Sequence, residues 1–232
     1  MARRETLPLA GLDLDEAVRG LNAVRRWKDM SHGSGVFGIK IAFEPRTWRL
    51  GKLEDYGLGC VRACVVAMLS TLKQIHGADP IVPIEFFCAK HPKDESVCAE
   101  HAHNCRQATL QLGAPRHFIV EGAGLPSAIN HRREFRIEQG DLVILDGQVH
   151  GVRRGTGMRY SLNLFYATER DFASDRQGRS PPTVRTPRPS GVGTSHCGRC
   201  QACYLCGMHH PSGARCVRAL PDTWNQGGGI VE

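Results

Sequence analysis

Glu100-His101-Ala102-His103-Asn104, Ala108-Thr109-Leu110-Gln111-Leu112-Gly113, Gly140-Asp141-Leu142-Val143-Ile144-Leu145-Asp146-Gly147, His150 and Arg159-Tyr160-Ser161-Leu162-Asn163-Leu164-Phe165-Tyr166 all fall between residues 100 and 166. This stretch reads as two halves of one metal site joined by short β-strands. His101 and His103 are two positions apart, so on an extended backbone both imidazoles leave on the same side. A pair so placed can grip one divalent ion. His150 stands just past the apolar run Leu142 to Leu145, which reads as a buried strand. Three histidines converging on an ion leave coordination positions open for substrate, as a catalytic metal needs. Arg159 follows nine residues later and starts another apolar run; a buried guanidinium fork suits a carboxylate ligand.

Outward from this stretch the pattern stays that of short strands. Residues 81–89, 107–113, 117–121, 134–138, 142–147 and 159–166 are the candidates. Turn residues separate them: Gly122, Gly124, Pro126, Gln139-Gly140-Asp141 and Gly155-Thr156-Gly157. Several runs are apolar throughout, as in strands covered on both faces. Many short strands with this punctuation predict a jelly-roll-like barrel. Ahead of them, residues 12–29 carry Leu14, Ala17, Val18, Leu21 and Val24 at helical spacing, with Asp13 or Asp15 as cap. Ile39 to Phe43 reads as a strand ended by Pro45. Residues 58–76 form the strongest helical pattern, striped by Val61, Cys64, Val65, Met68, Leu69, Leu72 and Ile75 and stopped by Gly77. That helix is read as a support for the sheet. Cys60 and Cys64, one turn apart on it, are read as small buried residues.

The ordered set of motifs resembles the double-stranded β-helix of the iron(II)/2-oxoglutarate dioxygenases. In that superfamily a His-x-Asp (or Glu) pair and a distal His hold iron, and an Arg or Lys after the distal His holds the far carboxylate of 2-oxoglutarate. The sub-pattern is most similar to the AlkB-like nucleic-acid demethylases. It runs here as Ile84-Glu85-Phe86-Phe87-Cys88, a loop at His91-Pro92-Lys93-Asp94-Glu95, His101, then Leu112-Gly113-Ala114-Pro115-Arg116-His117-Phe118, over roughly residues 80 to 170. The resemblance implies His101 and His150 as iron ligands, Arg159 as the 2-oxoglutarate anchor, and hydroxylation of a C–H bond, which on an N-methyl group ends in demethylation. Two positions depart from the pattern. The Asp of the triad is replaced by His103, and the second Arg of AlkB-like proteins by Phe165. The short His-to-Arg spacing is more like the prolyl hydroxylases or the TET/JBP group. His103 is then a third imidazole ligand, a neighbour of an iron that lacks a third side-chain ligand, or the mark of a dead site.

The chain has 232 residues, and ordinary apolar content with no run of about eighteen apolar residues predicts no transmembrane helix. Its start lacks the apolar core of a secretory signal. Ten cysteines without such a signal predict reduced thiols and metal ligation in an intracellular protein, of cytoplasm or nucleus. A net charge of +7 favours an anionic partner, nucleic acid first, though simple solubility would also account for it. His91, His117 and His131 are read as surface or satisfied histidines, His91 in a polar loop. Trp48 is read as core. Cys98 and Cys105 flank the His101/His103 pair, and a nearby thiol could divert the site toward zinc.

After Thr168 the character changes. Residues 171–195, rich in Arg, Pro, Ser and Gly, read as a linker, and between Arg176 and Arg218 there are seven Arg and no Asp or Glu. Such an arm can lie along phosphates or simply be solvated. Then come Cys197, Cys200, Cys203, Cys206, His209, His210 and Cys216. The repeated Cys-x-x-Cys spacing predicts a structural zinc site closed by four of them, with Cys197 and Cys200 plus Cys206, His209 or Cys216 favoured. An iron–sulfur cluster fits less well, since the fourth Cys comes one residue early and no Pro follows it.

The expected class is therefore α+β: a double-stranded β-helix core at 80–170, an N-terminal helical support at 1–79, the linker at 171–195, the Cys/His cluster at 196–218 and a tail at 219–232. Two functions follow. One is an oxygenase using iron(II) at His101, His150 and His103, with 2-oxoglutarate on Arg159. The other is an inactive dioxygenase-fold protein whose zinc-containing tail binds nucleic acid or protein.

Overall fold

The computed structural model describes residues 3–6, 11–30, 35–43, 50–92, 98–103, 105–121 and 132–171. In chain order these form β1 (Arg3–Thr6), α1 (Leu14–Ala23), β2 (Lys28–Asp29), β3 (Phe37–Ala42), the short α2 (Lys52–Asp55), a 3-10 turn (Gly59–Val61) and α3 (Arg62–His76). The strands β4 (Ile81–His91), β5 (Cys98–His101), β6 (Arg106–Gly113), β7 (Arg116–Glu121), β8 (Arg132–Ile137), β9 (Asp141–Asp146), β10 (His150–Val152) and β11 (Arg159–Thr168) follow. Seven strands make one sheet in the order β1-β9-β6-β11-β4-β3-β2, and four make a second in the order β5-β10-β7-β8. Every pairing among the described residues is antiparallel.

The period-two alternation of strands sorts the large sheet into two faces. Phe86, Cys88, Leu110, Leu112, Leu142, Ile144, Leu162, Leu164 and Tyr166 join a core with Leu14, Ala17 and Leu21 of α1 and Val65, Met68 and Leu72 of α3. From the opposite face Val143 and Leu145 pack with Phe118, Val120, Ile137 and Val152 of the small sheet. The two sheets thus share an interior, in keeping with the jelly-roll expectation, while the helices cover the outside of the large one. All ten residues of β11 are buried, so both of its faces are covered: Tyr160, Leu162 and Leu164 face the helix-side core, and Arg159, Ser161 and Asn163 face the space between the sheets.

Local signals set the helix ends. The Asp13 carboxylate accepts from the Glu16 amide at 2.7 Å and starts α1. The helix stops at Ala23 rather than 29, because after Val24 the sequence turns to Arg25-Arg26 and offers no further apolar stripe to bury. The second expected helix begins as the 3-10 turn and becomes α-helical only at Arg62, ending at Gly77 with φ +59°. A methyl group on Gly20 would stand 2.3 Å from the Cys60 Cβ, so α1 and that turn can cross only with glycine there.

The chain before residue 80 is more than a helical support. β1, β2 and β3 all pair into the large sheet, β3 directly against β4. β3 falls where Ile39 to Phe43 reads as a strand, but β5 and β10 have no counterpart in the sequence pattern: Cys98-Ala99-Glu100-His101 and His150-Gly151-Val152 are short and polar and lack the β-branched runs that mark strands. Among the described residues no helix is long and apolar enough to cross a membrane. Of the expected linker only Asp171 is described, its carboxylate accepting from Arg106 at 2.7 and 3.0 Å; the rest of the linker, the Cys/His cluster and the tail, with Trp48 and His131, lie outside the described residues.

Candidate metal centre

The two unforeseen strands bring the histidines together. β5 and β10 pair antiparallel with His101 opposite His150. Gly151 makes this possible, because a Cβ there would meet the Cys98 carbonyl oxygen and the Glu100 Cγ at 3.0 Å. His103 follows two residues after the end of β5. Ring centroids lie 4.4 Å apart for His101 and His150, 4.8 Å for His101 and His103, and 5.5 Å for His103 and His150. One ring nitrogen from each can be chosen so that all three lie within 4.8 Å of one another. Among the described residues no carboxylate joins this group.

His150 is 3% exposed. Its Nδ1 lies 3.0 Å from the Gln148 carbonyl oxygen, an acceptor only, so Nδ1 carries the proton and Nε2 presents a lone pair. That Nε2 is buried and has no hydrogen-bond partner among the described residues. Burial first, and His101 second, lower its pKa to about 3, so the ring is neutral and ready to ligate. A ligating imidazole whose other N–H is fixed on a backbone carbonyl is the usual arrangement around a bound metal. Phe118 stacks parallel to the His150 ring at 5.9 Å, and Phe165 meets the His103 ring edge-on at 4.7 Å. The donor set and the orphaned lone pair fit a divalent transition metal held by nitrogen.

Beside the histidines lies a thiol. Cys98 Sγ is 3.7 Å from His101 Nδ1. Burial raises its pKa, but His101 and Arg159 together outweigh burial and the net direction is down. Arg159 opens β11 and is 1% exposed. Its Nε donates to Gln111 Oε1 at 2.7 Å. Gln111 is fixed in turn by its own Nε2, which donates to the Ala114 carbonyl at 2.7 Å. Arg159 makes no ion pair with an acid among the described residues. Burial, opposed by Cys98 and aided by Arg116, lowers its pKa to about 10. Farther along the same face, Gln107, Thr109, Ser161 and Asn163 bond to one another, with Thr109 Oγ1 donating to Asn163 Oδ1 at 2.9 Å.

Three residues of this interior were not singled out from the sequence as site residues. Gln111 orients Arg159. Arg116, 2% exposed, donates to the carbonyls of Pro115, Thr156 and Gly157 and so ties down the loop that leads into β11. His91, expected in a polar loop, is the last residue of β4, 2% exposed and directly opposite Arg159. The period-two signal could have found it: β4 simply runs two residues beyond the apolar pattern. The other competing residues are elsewhere. His117 is exposed and pairs with Glu134 at 3.4 Å, Cys105 is buried, and Cys60 and Cys64 belong to the helical layer.

No protein-family model matches this chain, and no curated protein matches it. Solved structures similar to it include an oxidoreductase of the 2OG-Fe(II) oxygenase family from Burkholderia pseudomallei, 17% identical, covering 81% of this chain and 88% of that one, with a TM-score of 0.49. Another is a prolyl hydroxylase in complex with a hypoxia inducible factor oxygen degradation domain peptide fragment, from Trichoplax adhaerens, 14% identical, covering 75% and 86%, with a TM-score of 0.48. The chemistry of the site has to come from this chain's own side chains.

Proposed function

We propose that this chain is an iron(II)- and 2-oxoglutarate-dependent oxygenase with a double-stranded β-helix core. His101, His103 and His150 hold the metal, and Arg159 holds the far carboxylate of 2-oxoglutarate. The observation that carries this reading is His150, a neutral imidazole with its N–H anchored and its lone pair buried, unsatisfied, beside two further imidazoles. When bound, iron with 2-oxoglutarate supplies the oxidation of a substrate C–H bond by dioxygen.

The chain's own residues do the rest. An imidazole ligand brings no negative charge, so three of them leave the whole charge of a divalent ion uncompensated, and Arg159 adds another buried cation. A dianion is what such an interior accepts, which offsets the missing carboxylate ligand. Gln111 orients the Arg159 fork, and Phe118 and Phe165 keep water from the imidazoles. The basic run from Arg176 to Arg218 and the net charge of +7 support nucleic acid as the substrate class and an AlkB-like demethylation. A base would then enter single-stranded or flipped out. Zinc held by four of Cys197, Cys200, Cys203, Cys206, His209 and Cys216 would fold the tail.

The test is 2-oxoglutarate titrated anaerobically into the iron(II)-loaded chain, following the iron(II)–2-oxoglutarate charge-transfer absorption in wild type and His150→Ala. A band in wild type that vanishes in the variant supports the reading. Zinc in proportion to the tail cysteines with no band at all would sink it and leave the binding module. His103→Asp adds a second arm: lost turnover marks a working three-histidine site, and raised turnover marks a degraded one.

A further inference from the structure

One buried titratable group has no use in the site so far. The Nδ1 of His91 is fully enclosed and has no hydrogen-bond partner among the described residues. It lies directly opposite Arg159 in the β4–β11 ladder, so both side chains leave the sheet on one face, with Cβ atoms about 5 Å apart. That face is the interior one, since Ser161 and Asn163 of the same strand and parity belong to the buried polar network. The electrostatics run unbroken to the metal centre: Arg159 bears on His91, Cys98 bears on Arg159, and Cys98 touches His101. Burial first, then Arg159 and Arg116, lower the pKa of His91 far below the histidine range, so it is neutral with one N–H to give. A guanidinium with no acid and an imidazole nitrogen with no partner among the described residues, side by side and out of water, are each costly alone. One carboxylate satisfies both.

On the reading that this site takes 2-oxoglutarate, we propose that His91 is the second arm of the carboxylate seat, donating its N–H to the distal carboxylate that Arg159 holds. His91 is then a binding residue that selects ligands with an anionic far end.

Calorimetry on the full chain tests this with three probes. 2-Oxoglutarate and 2-oxobutyrate are titrated anaerobically into the iron(II)-loaded protein; both carry the 2-oxo acid head, and only the first has a far carboxylate. Glutarate is titrated into metal-free protein and reads the seat alone. His91→Leu is expected to weaken 2-oxoglutarate and glutarate about tenfold or more, leaving 2-oxobutyrate unchanged. His91→Gln, which keeps a donor, is expected to restore most of the loss, which a merely space-filling role would not allow. Unchanged 2-oxoglutarate affinity in His91→Leu, with Arg159→Met abolishing it, would overturn the role of His91 and leave the oxygenase reading standing. Glutarate binding that depends on both residues, without any 2-oxoglutarate binding to the iron form, would support the seat and overturn the oxygenase reading. No binding of any probe to wild type would overturn both.

Discussion

Replacing Arg159 with methionine should make the empty protein more stable and the protein blind to 2-oxoglutarate. The guanidinium is 1% exposed, with a single hydrogen bond to Gln111 and no acid partner among the described residues. Its pKa falls from the ordinary 12.5 to about 10. At pH 7 it is still protonated, so the folded chain carries the whole cost of burying the charge. At about 1.4 kcal/mol per tenfold in proton affinity, that cost is roughly 3 kcal/mol. Methionine fills similar space without charge, while the orphaned Gln111 oxygen gives back about 1 kcal/mol. The net gain of roughly 2 kcal/mol corresponds to a Tm higher by about 4–8 °C for a domain of this size. Saturating 2-oxoglutarate should do the reverse for wild type, adding about 2.7 kcal/mol at one hundred times Kd. The assay is thermal unfolding of both proteins, iron(II)-loaded and anaerobic, with and without 2-oxoglutarate. Arg159→Met melting below wild type without ligand, or an equal rise in Tm of both proteins with 2-oxoglutarate, would rule this out.

Other perturbations follow from the same packing. His150, at a pKa of about 3, and His91, well below its usual 6.5, stay neutral when folded but charge when unfolded. The metal-free chain should therefore keep full stability above pH 6.5 and lose it as pH falls toward 4, by up to about 1.4 kcal/mol per pH unit for each group. Denaturant midpoints at pH 7.5 and 5 check this, and a flat profile contradicts it. Gly113 and Gly57 share a φ of +73°, but a Cβ on Gly113 would lie 2.6 Å from the Met158 carbonyl oxygen, while one on Gly57 meets nothing within 4 Å. Alanine should cost about 1 kcal/mol at Gly57 and at least about 2 kcal/mol more at Gly113, where it also displaces Arg159; equal losses in denaturant melts would show that only φ matters. In the tail, Cys197→Ser with Cys200→Ser should remove one zinc per chain by elemental analysis and leave iron binding unchanged. Zinc that stays at the wild-type level would exclude those two thiols as ligands.

The strands that carry apolar runs were legible. β4, β6, β7, β9 and β11 lie where the runs predict, because burial on one or both faces writes itself into residue type. β5 and β10 were not legible as strands, although their histidines were. Those strands are held by pairing and by the small size of Gly151, not by β propensity, and the site exists only because they pair. His101 and His103 showed their relation locally, through a spacing of two. His91 and Arg159 are far apart in the chain, and their meeting depends on the β4–β11 register, which no local pattern encodes. Gln111 reads as one polar residue among the apolar positions of β6, and its use appears only once Arg159 lies beside it.

Whether three imidazoles, with no carboxylate, hold one metal ion is read by anaerobic calorimetry of iron(II) with wild type, His101→Ala, His103→Ala and His150→Ala, with exposed His117→Ala as control. One high-affinity iron site per chain is expected, weakened at least about a hundredfold by each of the three substitutions and untouched by the control. Full iron affinity in His103→Ala, or no high-affinity site in wild type, would contradict it.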